Sequence, residues 1–353
     1  MHLRRIRTNI GFLMSMIMLA GVFSSPARAA NSVASVPASF TITGSGWGHG
    51  LGMSQYGAYG MALDGFTAEQ IISHYYRGAK AELAETPTKL RVGLLQDKKF
   101  VALQGEKHPD KSAGGELTLW VDGVKQTNIV AANTPIIFET VLVGKGAETK
   151  ASVSGKAIAQ GSKLLISWSN TKSLINLSSG TSAKTALSGL GTDSCTMNKC
   201  PHRYRYGNLE ITSSSIGAGD STIDLNVVNT LRLSDQYLYG LGEMPSSWHL
   251  EALKTQVIAA RSFALIKSRS IQSYCDCNLD TTDGSQVFSG FSKEFSAFGD
   301  KWVQAVIETV GKSGSTAAER ARSGLVIKND KEIIAGYYSS STGGKTQPRS
   351  EVW

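Results

Sequence analysis

Between Leu90 and about Val228 the chain breaks into apolar runs too short for helices. Leu90-Arg91-Val92-Gly93-Leu94-Leu95, Leu117-Thr118-Leu119-Trp120-Val121, Ile136-Ile137-Phe138 and Leu164-Leu165-Ile166-Ser167-Trp168 are each bounded by Gly, Asn, Asp or Lys clusters. Strand signals return at Asn208–Thr212 and Ile223–Val228. Short runs rich in β-branched and aromatic residues, separated by turn formers, are the signature of paired strands. The fold class that follows is α+β: a strand-rich, mostly antiparallel body carrying a few helices. Residues 169–200 are rich in Ser, Thr and Gly and read as an exposed loop or insertion.

The helices are few and well marked. Ile71, Ile72, Tyr75 and Tyr76 form one apolar face between Ala68 and Tyr76, started by Phe66 or Thr67 and ended by Gly78. Leu250, Leu253, Val257, Ala260 and Ala264 recur at helical spacing from about Trp248 to Ser268, and a further helix is expected between Lys301 and Gly311. Phe40–Thr43 reads as a short strand, and Ile333–Tyr338 as a strand running into the small-residue turn Ser339–Gly344.

The beginning of the chain is set apart from the fold. Arg4, Arg5 and Arg7 precede an uncharged apolar run, Ile10–Phe23, and Ala27-Arg28-Ala29 supplies a small-x-small cleavage pattern. Residues 1–29 are therefore expected to be an export signal, which implies a secreted or cell-envelope, extracytoplasmic protein. Residues 30–39 read as a linker and 40–353 as one domain, comprising a Gly–His segment (40–80), a strand-rich middle (88–230) and a final segment (231–353). An incomplete C-terminus is expected, because the chain stops at Trp353 without a turn or cap. The four leader arginines carry half of the formal net charge of +8. The remaining balance is mildly positive, with no basic stripe interleaved with aromatics, so nucleic acid is not an expected partner.

Four cysteines, Cys195, Cys200, Cys275 and Cys277, are disulfide candidates in an exported chain. A bridge across the single residue between Cys275 and Cys277 is expected to be strained, so cross-pairing of the two loops is favoured. No metal is assigned, and a zinc site of these cysteines with His202 is the alternative, although the spacing fits no familiar zinc motif.

Several constellations could carry chemistry. In Gly44-Ser45-Gly46-Trp47-Gly48-His49-Gly50-Leu51-Gly52, alternate glycines clear one face for close approach of a backbone or ligand while Trp47 and His49 project from the other. An aromatic beside a polar group on a flat platform suits stacking against sugar rings. Gly240-Leu241-Gly242-Glu243-Met244-Pro245 sets one carboxylate on a Gly-rich turn before the long helix. Taken alone, Glu243 reads as an acid favouring that helix's dipole. Ser285-Gln286-Val287-Phe288-Ser289-Gly290 reads as a polar turn, and Tyr337–Thr346 offers hydroxyls and glycines that could line a groove. A serine hydrolase is set aside, since no Ser occupies a Gly-x-Ser-x-Gly elbow.

Together these constellations resemble the bacterial SpoIID (stage II sporulation protein D) and amidase enhancer family. The resemblance rests on Gly46–Ala58, Ile71–Gly78, Tyr237–Pro245, Leu253–Leu265, Ser285–Gly290 and Ser339–Thr346. It implies a peptidoglycan lytic transglycosylase acting on glycan strands, preferentially those stripped of stem peptides, and forming 1,6-anhydro sugar ends. The catalytic glutamate of the family precedes Met-Pro, which here is Glu243. One carboxyl serves as acid and then base, unlike the two-carboxylate hydrolases, and burial near Leu241, Met244 and Trp248 is expected to raise its pKa. Trp47, His49, Gln55, Arg261, Gln286, Ser339, Ser340 and Ser341 are the implied substrate-binding residues. The alternative is a non-catalytic peptidoglycan-binding enhancer of a cell-wall amidase. In the sporulation protein the Gly–His motif follows the Ser-Ser-Gly-Gly run near the C-terminus, whereas here it precedes everything else. The motif order thus looks permuted, and the two segments are expected to meet in space.

Overall fold

The computed structural model describes residues 39–41, 43–191, 202–214, 223–282, 284–312, 314–348 and 350. The expected export signal and most of the linker lie outside these residues, as do Cys195 and Cys200. Ser45–Trp353 form one compact unit and Met1–Gly44 another, in which residues 39–41, 43 and 44 adopt no regular structure. The strand expected at Phe40–Thr43 is therefore not formed by the residues described there, and Phe40 is exposed.

The strand-rich middle forms two large sheets. In the seven-stranded sheet the spatial order is Leu279–Asp280, Leu90–Lys98, Asp224–Leu231, Asn208–Ser214, Lys163–Trp168, Leu117–Val121 and Val124–Val130. In the six-stranded sheet it is Arg203–Tyr204, Ser173–Gly180, Phe100–Lys107, Ile136–Val143, Gly146–Val153 and Lys156–Gly161. Pairing is antiparallel throughout both, except where Leu279–Asp280 runs parallel to Leu90–Lys98. Alternate residues point inward, and Val92, Leu119, Ile166, Leu209 and Ile211 of one sheet share a core with Val101, Leu103, Phe138 and Ile175 of the other. Each such side chain contributes roughly 1.5–3 kcal/mol on burial.

Ser173–Gly180 corrects the sequence reading of 169–200. It is a strand between two neighbours, pairing Ile175 with Gly105 on one side and Tyr204 on the other. Its serines and glycine suggested a loop, but Leu174, Ile175 and Leu177 are buried. A helix, Ala183–Gly189, follows it.

The helix Leu250–Lys267 is buried on nearly every side, as expected of a helix without a wide polar face. It packs on the three-stranded sheet Glu332–Ile333, Ser323–Asn329 and Ala79–Glu85. There the Ser262 hydroxyl accepts the Ile327 N–H at 2.8 Å. Helix Ala68–Tyr75 starts at Thr67 with a full capping box and stops before Gly78. Gln55–Leu63, absent from the sequence reading because glycines interrupt it, is a helix capped by Ser54, whose hydroxyl accepts the Gly57 N–H. The expected third helix is Gly299–Ile307. The expected strand at 333–338 is reduced to Glu332–Ile333 and Tyr338–Ser339, separated by an irregular stretch.

Cys275 is bridged to Cys277, not to the 195/200 loop as expected. Asp276, at φ +49°, turns the chain tightly enough to bring the two Cα atoms to 5.1 Å, within the usual range for a disulfide. Both sulfurs are buried against Val228, and as a disulfide they are not thiolate ligands for the zinc alternative.

Candidate functional site

The N-terminal platform and the C-terminal turn build one wall together. Met53–Ser54 pairs in parallel with Tyr338–Ser339, Trp47 bridges to Ser341, and Leu51 to Gln347. Glycine is required where the two backbones meet. At Gly52, φ is +65° and a Cβ would run into the Tyr337 carbonyl oxygen, which already accepts the Met53 N–H at 3.0 Å. The face cleared by the glycines thus receives a backbone, while Trp47 stands 79% exposed. The His49 Nδ1 accepts the Leu51 N–H at 2.9 Å. Burial holds the His49 pKa below the ordinary imidazole value, opposed by a hydrogen bond to the Tyr338 backbone, so the ring is neutral at pH 7.

Glu243 lies opposite this wall. Its loop is paired with 287–289: the Gly242 N–H donates to the Val287 carbonyl at 2.8 Å, and the Ser289 N–H to the Gly240 carbonyl at 2.7 Å. The close approach requires small residues, since a Cβ on Gly240 would strike the Phe288 ring. The Glu243 carboxylate accepts the Val287 N–H at 2.6 Å and a hydrogen bond from the Tyr338 hydroxyl. Its backbone carbonyl accepts the Gln55 side-chain amide at 2.9 Å. The long helix begins only at Leu250, with Glu251 in its first turn, so Glu243 is not the helix-start acid that local sequence implied.

Behind the carboxylate runs a buried polar chain. The Tyr237 hydroxyl donates to the Gln286 Oε1 at 3.0 Å, and the Gln286 Nε2 donates to the Tyr338 hydroxyl at 2.7 Å. Burial, then the nearby Glu243 charge, pushes both phenols well above their ordinary range, so each remains a donor.

A cleft of about 330 Å³ is lined by Trp47, His49, Gln55, Glu243, Tyr338 and Ser339, among others. Gln286 is fully buried beneath it, and Ser339 is 6% exposed with a hydroxyl that has no hydrogen-bond partner. Ser340 lines the cleft, whereas Ser341 is engaged through its backbone with Trp47. Arg261 departs from expectation. It is fully buried, donating to the Leu325 carbonyl at 2.8 Å, the Thr309 hydroxyl at 3.0 Å and the Ser234 carbonyl at 3.2 Å, and so it binds the fold together and does not line the cleft. Sequence reasoning did not single out Tyr237 or Phe263, the latter also lining the cleft, and it placed Tyr338 in a groove-lining run without giving it a role. The Tyr337-Tyr338 pair next to the serine run was the available signal for Tyr338. Glu243 is the one carboxylate among the described residues lining the cleft. The described residues contain no group of three His, Cys, Asp or Glu that could hold a metal ion.

Residues 221–313 match the family model of the stage II sporulation protein, SpoIID. The amidase enhancer of Bacillus subtilis (strain 168) is 33% identical over 111 residues, covering 31% of this chain and 12% of that protein. The stage II sporulation protein D of the same organism is 49% identical over 45 residues, 13% of each chain. An uncharacterised protein of Brachyspira hyodysenteriae is 30% identical over 129 residues, covering 36% of this chain and 30% of its own. The chain thus spans about an eighth of the length of the two named relatives. No solved structure gives a significant match.

Proposed function

We propose that the chain belongs to the SpoIID and amidase enhancer family, whose model matches residues 221–313, and that it has a cell-wall related role as an exported lytic transglycosylase. In this reading it cleaves peptidoglycan glycan strands, with stem peptides removed, through Glu243. The observation that carries the reading is a lone carboxylate on a braced loop, facing a polyhydroxyl- and aromatic-lined cleft with no second acid among the described lining residues. A hydrolase of the usual kind needs two carboxyls. A single acid suffices when the sugar supplies its own nucleophile. The protonated Glu243 gives its proton to the glycosidic oxygen as the C1–O bond breaks. The carboxylate then takes the proton of the sugar's 6-hydroxyl as O6 closes on C1, which leaves a 1,6-anhydro end and returns the acid to its starting form. The Val287 N–H and Tyr338 hydroxyl hold the carboxylate in one orientation through both steps, and Trp47 offers a stacking face at the mouth of the cleft.

The test is digestion of denuded glycan strands by the wild type and by Glu243→Gln, with anhydro ends detected by mass. The wild type is expected to produce them, and the variant to do so roughly 100- to 10,000-fold more slowly. Equal rates would remove Glu243 from the chemistry.

The likeness to the amidase enhancer supports a second reading, a module that binds peptidoglycan and stimulates an amidase. It predicts faster amide cleavage by a cell-wall amidase when the protein is added, with no anhydro product from the protein alone. Action outside the cytoplasm is part of both readings; among the described residues no helix is long and apolar enough to cross a membrane.

A further inference from the structure

On the other side of Glu243 lies a second, open cleft of about 380 Å³, lined by Gly242, Glu243, Met244, Pro245, Ser246, Ser289, Ser292, Lys293 and Ser296. Glu243 is shared by both clefts. A polymer bound across the carboxylate would therefore lie in the first cleft on one side of the scissile bond and in this one on the other.

The lining of the second cleft is polar in a particular way. The Ser292 hydroxyl donates to the Ser289 carbonyl at 2.6 Å, and the Ser296 hydroxyl to the Lys293 carbonyl at 2.9 Å. With their protons used inside their own turns, both oxygens keep acceptor lone pairs for incoming hydroxyls. Among them is a buried cation. Lys293 is 8% exposed, its Nζ donates to the Met244 carbonyl, and it sits 4.3 Å from the centre of the Trp302 ring. It forms no ion pair with any described residue. An ammonium has three donors, and one is used. Burial lowers the Lys293 pKa to about 8, against the opposing pull of Glu243, so it is charged at neutral pH. Buried charges without an ion-pair partner are costly to keep, and in a cleft beside a candidate catalytic acid they mark functional positions.

We propose that this second cleft is the subsite for the sugar on the far side of the scissile bond, and that Lys293 receives a carboxylate carried by that sugar. The proposal rests on the transglycosylase reading for its substrate, a glycan of amino sugars. In that polymer the carboxylate is the lactyl group of a muramyl residue, exposed when its peptide is absent. The four serines meet the hydroxyls and Lys293 meets the charge.

The test compares denuded strands with the same strands after amidation of their carboxyls, at pH 6, where Lys293 is charged. Binding of soluble fragments to Glu243→Gln is measured by calorimetry, with and without Lys293→Met or Lys293→Arg added. Amidation is expected to weaken binding by roughly tenfold or more, the value of a charge-assisted hydrogen bond. Lys293→Met should bind both forms equally and weakly, while Lys293→Arg should still discriminate. Equal binding of the two strands by the parent protein, which needs no lysine variant, would overturn the proposal. So would a Lys293→Met protein, folded by its melting transition, that discriminates as its parent does. Cleavage is scored separately with Glu243 intact: failure to form anhydro ends overturns the transglycosylase, while the binding comparison still decides the subsite.

Discussion

Tyr338→Phe isolates the bond between the polar chain and the candidate catalytic carboxylate. The substitution removes one oxygen and leaves the ring in place. That oxygen donates to Glu243 and accepts the Gln286 Nε2 at 2.7 Å. Two costs follow. A hydrogen bond to a charged group contributes about 1.5–3 kcal/mol, so losing it where the carboxylate must be aimed should lower kcat by roughly 10- to 150-fold. The fully buried Gln286 Nε2 keeps only a 3.5 Å contact with the Ala260 carbonyl, which should cost about 1–3 kcal/mol of stability. Tyr237→Phe separates the two effects. It removes the donor to the Gln286 Oε1 at 3.0 Å, with a similar stability cost, but does not touch the hydroxyl that reaches Glu243. Release of anhydro ends and urea unfolding, measured on both variants, give the answer. A strong kcat loss in Tyr338→Phe with a mild one in Tyr237→Phe fits orientation of Glu243. Equal losses would reduce the chain to a structural element, and a wild-type kcat in Tyr338→Phe would refute the orienting role altogether.

Gly52→Ala should cost about 2–4 kcal/mol in urea unfolding, because a left-handed residue gains a Cβ aimed at the Tyr337 carbonyl, the acceptor of both the Met53 N–H and the Tyr76 hydroxyl; an unchanged midpoint would mean that the two segments are not locked together. Trp47→Ala, at a 79% exposed site, should leave stability within about 0.5 kcal/mol while raising KM roughly 2- to 10-fold through loss of a stacking face; an unaltered KM would take Trp47 out of the groove. Lys293 is lowered from 10.5 to about 8 in the folded protein. Between those values the unfolded chain binds the extra proton, so wild-type stability relative to Lys293→Met should rise by ~3 kcal/mol as pH climbs from about 8 to 10.5; a gap that stays constant or moves the other way would contradict the buried charge. Arg261→Met should lower stability by about 2–4 kcal/mol, since three buried acceptors lose their donor, with KM of the folded protein unchanged; a stable protein with a raised KM would return Arg261 to the groove.

Legibility from sequence followed the range of the interactions involved. The helices at Ala68–Tyr75 and Leu250–Lys267 are encoded locally, by a cap, a spacing and a stop, and they formed where expected. The strands at Leu90, Leu117, Ile136 and Lys163 carry their own apolar runs. Ser173–Gly180 was misread because five of its eight residues are polar or glycine, and only the flanking strands make them a ladder. Arg261 was assigned to substrate only through the family resemblance of the Leu253–Leu265 segment. Its acceptors are two backbone carbonyls and a hydroxyl from three distant segments, which no spacing reveals. Lys293 was invisible for the same reason, since its meaning comes from the Met244 carbonyl and the Trp302 ring. The disulfide was missed because the left-handed turn at Asp276 cannot be read from composition.

The bracing of Glu243 also limits what a short match can transmit. The segment 221–313 that matches the family model contains Glu243, Val287 and Lys293. It contains neither Gln55, whose amide holds the Glu243 backbone carbonyl, nor Tyr338, whose hydroxyl reaches the carboxylate. Those two residues arrive from opposite ends of the compact unit, joined by the parallel pairing of Met53–Ser54 with Tyr338–Ser339. A permuted motif order is then tolerable physically, because the wall requires the two segments to pair and does not require them to follow one another. It also means that the matching segment holds the acid without the groups that aim it. Whether a relative shares the chemistry therefore turns on whether its own Gly–His and Ser–Gly segments supply a side-chain amide and a phenol to the same carboxylate. A chain that keeps the Glu-Met-Pro turn but lacks both would retain the shape of the loop edge and lose the fixed geometry on which a single-acid mechanism depends.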